Sequence, residues 1–282
     1  VAREQRSSTL EVELQGRNRS FRVDGRDVVP RDYHGRLEVV VYSTDRLRVI
    51  RGSMRDRRQF LDRSAGALWP SYRADARAFE RVLRHRNVAL QDDRPDLSIW
   101  TERFVEVGAR LRQRRASYGA RLSAALREGF RPEAEEYGVE IRPEVAGTEL
   151  DTRQALADEL AHLGRRERAS GRSLAGPHRD TVHLLLNGRD AALEASSGQS
   201  RSLLLALVLA TLEIYREETG HAAVALLDDL DSELDLDRTR ALCADVSGQA
   251  QALVTSAHTG WAESLRDQGR LFHVSGGEVR CA

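Results

Sequence analysis

Apolar and polar positions alternate with period two near the start of the chain and with period 3.6 further on, and the change divides it. Thr9–Leu14 and Arg19–Val23 predict two strands about the turn-like Gln15-Gly16-Arg17-Asn18, and Leu37–Tyr42 (LEVVVY) a shorter, more buried one. From Tyr72 the apolar positions Tyr72, Ala76, Phe79, Leu83 and Leu90 fall mostly three or four apart. A further series, Leu97, Trp100, Phe104, Val107, Leu111 and Tyr118, does the same, broken by Arg114. Both predict helices packed along a seam. A third amphipathic stretch with Leu156, Leu160 and Leu163 has Asp151 and Thr152 ahead of it as N-caps. Only the strand-like Val139–Val145 interrupts this helical region.

After Gly171 strands and helices alternate. Thr181–Leu186 reads as a strand, Asn187-Gly188 as a turn, and Gly198 opens a long helix running to about Tyr215. The apolar segment Ala222–Leu227 ends in paired aspartates, a helix follows Asp235, Leu253–Thr255 is a buried strand, and a hairpin about Gly276-Gly277 closes the chain. The pattern predicts an α/β head, β-rich over 1–70 and mixed over 173–282, split in sequence by a helical lobe over 71–172.

Composition narrows the classes. A chain of 282 residues with 40% hydrophobic and 31% charged positions suits a globular protein, and no run approaches the roughly 18 apolar residues of a membrane span. The N-terminus lacks the apolar core of a signal peptide, and Cys243 and Cys281 supply neither a disulfide framework nor a metal-ligand spacing, so the expected compartment is the cytoplasm. Because 44 basic residues meet 44 acidic ones, any nucleic-acid site must be a local patch. Every basic residue is Arg. Without Lys, the chain has no G-x-x-x-x-G-K-[ST] loop to reach β and γ phosphates.

The chemistry concentrates in two segments. In Ala223–Asp235 (AVALLDDLDSELD) an apolar strand runs into carboxylates, as a Walker B element requires: Asp228 is placed to hold Mg²⁺ and Asp229 to face an attacking water. The following Ser232-Glu233-Leu234-Asp235 resembles the D-loop of ABC-type ATPases. Ahead of the apolar helix Leu203–Leu212 lies Ala195-Ser196-Ser197-Gly198-Gln199-Ser200-Arg201, a hydroxyl and a flexible glycine at a helix N-terminus, where free N–H groups suit an anion. Taken singly, each segment suits an ordinary cap. With the Ser-Gly segment just upstream of the acidic strand, it resembles an ABC signature loop, in which Ser196, Gly198 and Gln199 meet a nucleotide on the opposite subunit.

For DNA the candidates are Arg110, Arg112, Arg114 and Arg115 on one helix, and Arg165, Arg166, Arg168 and Arg172 on another, since guanidinium groups bind phosphates irrespective of sequence. The same runs also suit solvated helix faces. Arg57 and Arg58 are expected to pair with acids at the base of the lobe, and Trp69, Trp100 and Trp261 to belong to the core.

Three further segments carry a family resemblance. Asp45–Asp62, with Arg57-Arg58-Gln59-Phe60-Leu61-Asp62 after the Gly52 turn, Arg84-His85-Arg86-Asn87, and Ala175-Gly176-Pro177-His178-Arg179-Asp180 are similar to segments of RecF proteins, in the family's order, with Ser232–Asp235 completing the set. The chain departs from the family's usual pattern at Thr44 and Met54, where Pro is common, and at Ser200, where another Gln is common. The resemblance implies an ABC-ATPase-like head with an inserted helical lobe, using ATP and Mg²⁺. It implies an ATP-dependent homodimer that clamps gapped DNA at single-strand/double-strand junctions and works with RecO and RecR in recombinase loading, replication restart and the SOS response. The switch position falls near Ser256, with His258 two residues on. The family's first strand, phosphate-binding loop and following helix would lie before Val1, with the chain cut short upstream or the gene decayed. ATP and Mg²⁺ are expected only where that loop is supplied; the alternative is a scaffold that binds DNA or protein without nucleotide.

Overall fold

A computed structural model describes residues 8–16, 18–33, 35–130, 135–230, 240, 242–243, 246–248 and 250–282. The chain forms two compact units, residues 1–39 and 40–282.

In the first unit β1 (Leu10–Gln15) and β2 (Asn18–Val23) pair antiparallel, with Leu10 opposite Val23 and Gln15 opposite Asn18. Both strands run one residue further into the turn than predicted, because Gly16 takes a left-handed φ of 59° that tightens it. A short β3 (Arg26–Asp27) joins the edge of β2, and in α1 (Pro30–Tyr33) the Tyr33 ring meets Phe21 at 4.9 Å.

The boundary between the units falls within β4 (Val39–Tyr42), after which come a 3-10 turn over Thr44–Leu47 and α2 (Arg48–Arg51). Then α3 (Met54–Leu68), α4 (Pro70–Gln91) and α5 (Leu97–Glu128) follow. As the placing of Arg110–Arg115 on one helix expects, α5 runs through Arg114, which reaches Asp75 on α4 at 3.0 Å. Its charge is paired with a carboxylate of the neighbouring helix, so a polar side chain is accommodated within the apolar series. Next come β5 (Tyr137–Arg142) and α6 (Glu149–Ser170). The cap of α6 is Thr148, closed by a reciprocal capping box with Asp151, so Asp151 and Thr152 lie inside the helix rather than ahead of it.

The remainder comprises β6 (Thr181–Leu186), β7 (Arg189–Asp190), α7 (Ala191–Glu194), α8 (Ser197–Thr219), β8 (Val224–Leu227), β9 (Gln251–Val254), α9 (Thr259–Glu263), β10 (Phe272–Ser275) and β11 (Glu278–Cys281). Here β5 runs antiparallel to β6 over six residues, so the helical segment contributes a strand to the sheet that leads to α8. The sheet β4-β8-β9 includes the parallel pair β8 and β9, with Leu227 opposite Val254. Helix α8 packs against α2, α3 and α5, and all ten residues from Leu203 to Leu212 are buried, which is why that stretch lacks a polar face. Residues 231–239, including Ser232 and Asp235 of the D-loop-like segment, lie outside the described residues. Among the described residues no helix is long and apolar enough to cross a membrane.

Candidate functional site

The acidic edge is built by two parallel strands that end together. Leu227 is buried, while Asp228 and Asp229 emerge exposed beyond it. The Asp228 N–H donates to the Tyr42 carbonyl at 3.0 Å, and the Thr255 N–H to the Leu227 carbonyl at 2.9 Å, so β4 and β9 grip the end of β8 from both sides. The Thr255 hydroxyl then donates to Asp228 Oδ1 at 2.6 Å and accepts the Asp229 N–H at 3.2 Å. Asp229 has a φ of 52°, a left-handed conformation that an aspartate tolerates better than most residues.

Among the described residues no group of three His, Cys, Asp or Glu could hold a metal alone. Two adjacent exposed carboxylates with a fixed hydroxyl fit Mg²⁺ instead, which keeps several waters and shares its shell with phosphate oxygens. In the sequence Thr255 is marked only as the end of a strand. A signal for its role exists: in a parallel pair with Leu227 opposite Val254, the next residues, Asp228 and Thr255, must be neighbours. Half-buried Ser256 and exposed His258 follow, the Ser256 hydroxyl accepting the His258 N–H at 2.9 Å.

The other element is the start of α8. Ser196 is its N-cap, accepting the Gln199 N–H, while the Gln199 side chain accepts the Ser196 N–H at 2.9 Å. The helix thus begins at Ser197, one residue before the predicted Gly198. Ser196, Ser197 and Gly198 are exposed, and a Cβ added to Gly198 would meet nothing within 4 Å. Amides of a first helical turn lack intrahelical acceptors, so this loop presents hydroxyls and N–H donors to solvent. Ser200 is fully buried behind it.

No protein-family model matches the chain. Among curated proteins, the DNA replication and repair protein RecF of Synechococcus sp. (strain JA-3-3Ab) is 32% identical over 287 residues, which cover 96% of this chain and 75% of that protein. RecF of Anaeromyxobacter sp. (strain Fw109-5) is 36% identical over 259 residues, covering 88% and 70%. The chain belongs to the RecF family. Its fold is similar to that of a recombination mediator protein RecF–ATP structure, with a TM-score of 0.83 at 24% identity over 98% of this chain and 76% of that one. It is also similar to a Pyrococcus furiosus Smc head domain bound to the C-terminal domain of ScpA, with a TM-score of 0.52 at 12% identity over 94% and 68%. The expected α/β head with an inserted helical lobe is the fold observed.

In this RecF chain the family-like motifs meet in one buried polar lattice. Arg86 on α4 pairs with Glu167 on α6 at 2.5 Å, donates to the Ser173 hydroxyl at 2.7 Å, and lies 5.1 Å from the centre of the Phe104 ring. Asn87 accepts both the N–H and the hydroxyl of Ser173. Gly176 has a φ of 116°, and a Cβ there would stand 2.6 Å from the Phe104 ring, so only glycine fits. Asp180 receives Arg112 through contacts of 2.7 to 3.1 Å, and Asp62 receives Arg115 at 2.9 and 3.1 Å together with the Tyr72 hydroxyl. Burial, and then the Asp62 carboxylate, push the Tyr72 phenol up, so it stays protonated. His178 sits between Phe79 and Phe104, and burial holds its imidazole down at about 4.

This lattice corrects the DNA candidates. Arg112 and Arg115 are 4% and 2% exposed with their donors committed to Asp180, Glu159, Asp62 and the Pro177 carbonyl, so they do not present a phosphate-binding face. Arg110 and Arg114 both lean on Asp75, at 3.4 and 3.0 Å, which neutralises much of their charge. Their helical spacing conceals this, because periodicity cannot tell a buried ion pair from a solvated face. Arg165, Arg166, Arg168 and Arg172 are exposed and make no ion pair among the described residues. Arg57 bonds Asp190 and the Val182 and Ile50 carbonyls, whereas Arg58 takes the Asp180 carbonyl rather than a carboxylate. Trp69 and Trp261 pack partly buried against the core, and half-buried Trp100 stacks on His85 at 4.4 Å.

Proposed function

We propose that this RecF protein is the head of an ATP-gated DNA clamp acting at gapped DNA and single-strand/double-strand junctions in the cytoplasm, with RecO and RecR as partners and the SOS response as its setting. The observation that carries the reading is the start of α8. There the Ser196–Gln199 capping box holds an exposed Ser-Ser-Gly turn at the mouth of a helix whose next stretch, Leu203–Leu212, is buried, a form suited to a phosphate delivered from outside the subunit. In that role Ser196 and the Gly198 amide meet the terminal phosphate of a nucleotide on a partner copy, and Gln199 keeps the turn closed. Bound Mg²⁺–ATP supplies the phosphoryl group whose cleavage resets the clamp.

Asp228 would help to hold Mg²⁺ and Asp229 would polarise water, with Ser256 and His258 as switch residues and Ser232 and Asp235 as the D-loop. Arg165 and Arg166 give the DNA phosphates a sequence-independent contact. The test uses the polypeptide extended upstream of Val1 to include a phosphate-binding loop. Size-exclusion chromatography should show a dimer only with ATP; Ser196→Arg should block it while sparing ATP binding, and Asp229→Asn should prolong it. Normal dimerisation of Ser196→Arg would reduce the turn to a helix cap.

A further inference from the structure

The turn at the start of α8 is held from outside by Arg51, from a segment about 145 residues earlier. Arg51 Nη2 donates to the Ala195 carbonyl at 3.2 Å and to the Ser197 hydroxyl at 3.5 Å, and its Nε donates to the Ser200 hydroxyl at 3.1 Å. Ser200 passes the contact on, donating to the Ser196 carbonyl at 2.9 Å. One planar guanidinium therefore brackets the N-cap on both sides, before it at Ala195 and after it at Ser197 and Ser200. A fork of fixed donors does this at little entropic cost, and a point-like ammonium cannot.

Arg51 is itself firmly based. It ends α2, whose Val49 and Ile50 are 6% and 0% exposed, and the Gly52 N–H closes that helix on the Arg48 carbonyl at 2.8 Å. A Cβ at Gly52 would stand 2.3 Å from the Arg48 carbonyl oxygen, so the corner after Arg51 admits only glycine without rearrangement. Arg57 secures the same corner from α3 by donating to the Ile50 carbonyl at 3.0 Å, and its other contacts run to Val182 and Asp190, just ahead of α7. The contacts of Arg51 approach the turn from its base, whereas Gly198 faces open space.

We infer that Arg51 is a positioning residue for the nucleotide-facing turn: it fixes Ala195–Ser200 in the geometry that Ser196 and Gly198 need, and sets a permanent positive charge beside the place where a phosphate arrives. The inference rests on the reading of that turn given above. Because Arg51 is exposed, its loss should leave the core intact.

Two readouts test it. In the 282-residue chain, hydrogen–deuterium exchange of the peptide spanning Ala195–Ser200 should quicken roughly tenfold in Arg51→Met, with the melting temperature and the exchange of α3 and α5 unchanged, and Arg51→Lys should lie between. In the ATP-binding extended polypeptide, Arg51→Met should raise the ATP concentration for half-dimerisation about tenfold without changing the affinity of the monomer for ATP. Unchanged exchange would overturn the clamp, and faster exchange with normal dimerisation would overturn its positioning role. If Ser196→Arg also dimerises normally, the reading of the turn has failed, whatever Arg51 does to exchange.

Discussion

Thr255 and Asp228 directly follow neighbouring parallel strands and share a hydrogen bond of 2.6 Å, with the Asp229 N–H returning to the same threonine oxygen. One hydroxyl thereby sets the orientation of the first acid and supports the left-handed backbone of the next. Thr255→Val, which keeps the shape and removes the hydroxyl, should lower magnesium-dependent ATP turnover of the extended polypeptide about tenfold, and Thr255→Ser should restore most of it. Phosphate release at saturating ATP measures this. Equal rates for Val and Thr would show that Asp228 needs no such support.

Asp180 sits at the centre of the buried lattice, facing Arg112 and, at 3.6 Å, Arg115. Asp180→Ala should cost about 3–5 kcal/mol in urea unfolding, because it leaves the buried Arg112 guanidinium with only the partly exposed Glu159 as a carboxylate partner. The paired change of Arg112→Met with Asp180→Leu should be less damaging than Asp180→Ala alone. A loss under about 1 kcal/mol for the single change would mean that water reaches Arg112.

The buried imidazole of His178 gives a pH dependence with a definite sign. Its folded value of about 4 lies below the ordinary 6.5, so between those values the unfolded chain binds more protons than the folded one. Stability should therefore fall as pH drops from 6.5 to about 4 and level off below, by an amount on the order of 3 kcal/mol. Chemical denaturation at stepped pH should show a shallower decline in His178→Gln. Parallel declines in the two proteins would assign the effect to other groups.

Exposed arginines on α6 should register in the salt dependence of DNA binding. Replacing Arg165 and Arg166 by Ala should weaken binding alike for unrelated sequences and reduce the slope of log affinity against log salt by about 1.8. Replacing Arg110 and Arg114 should change the slope less, since Asp75 already pairs with both and Glu106 lies 3.6 Å from Arg110. The opposite ranking would place the DNA on α5.

The elements are legible in the sequence where one physical rule dominates. Thr181–Leu186 matches its strand residue for residue because alternation and the Asn187-Gly188 turn agree. The length of α5 is not legible, because Arg112 and Arg115 look polar in sequence and behave as core residues once carboxylates from other elements neutralise them. Asp228, Asp229 and the Ser196 turn stand out because strand-end acids and a capped Ser-Gly turn have local signatures. Thr255 and Arg51 do not, since each acts through a partner distant in sequence that only the folded chain brings near.

The ladder between β5 and β6 has a mechanical consequence. One strand comes from the helical segment, and the other leads through β7 and α7 to Ser196 within ten residues of its end at Leu186. Six consecutive residue pairs resist sliding together, so displacement of this strand loads its neighbour directly. The ladder thus ties the helical segment to the strand from which the chain runs on to the turn at the mouth of α8.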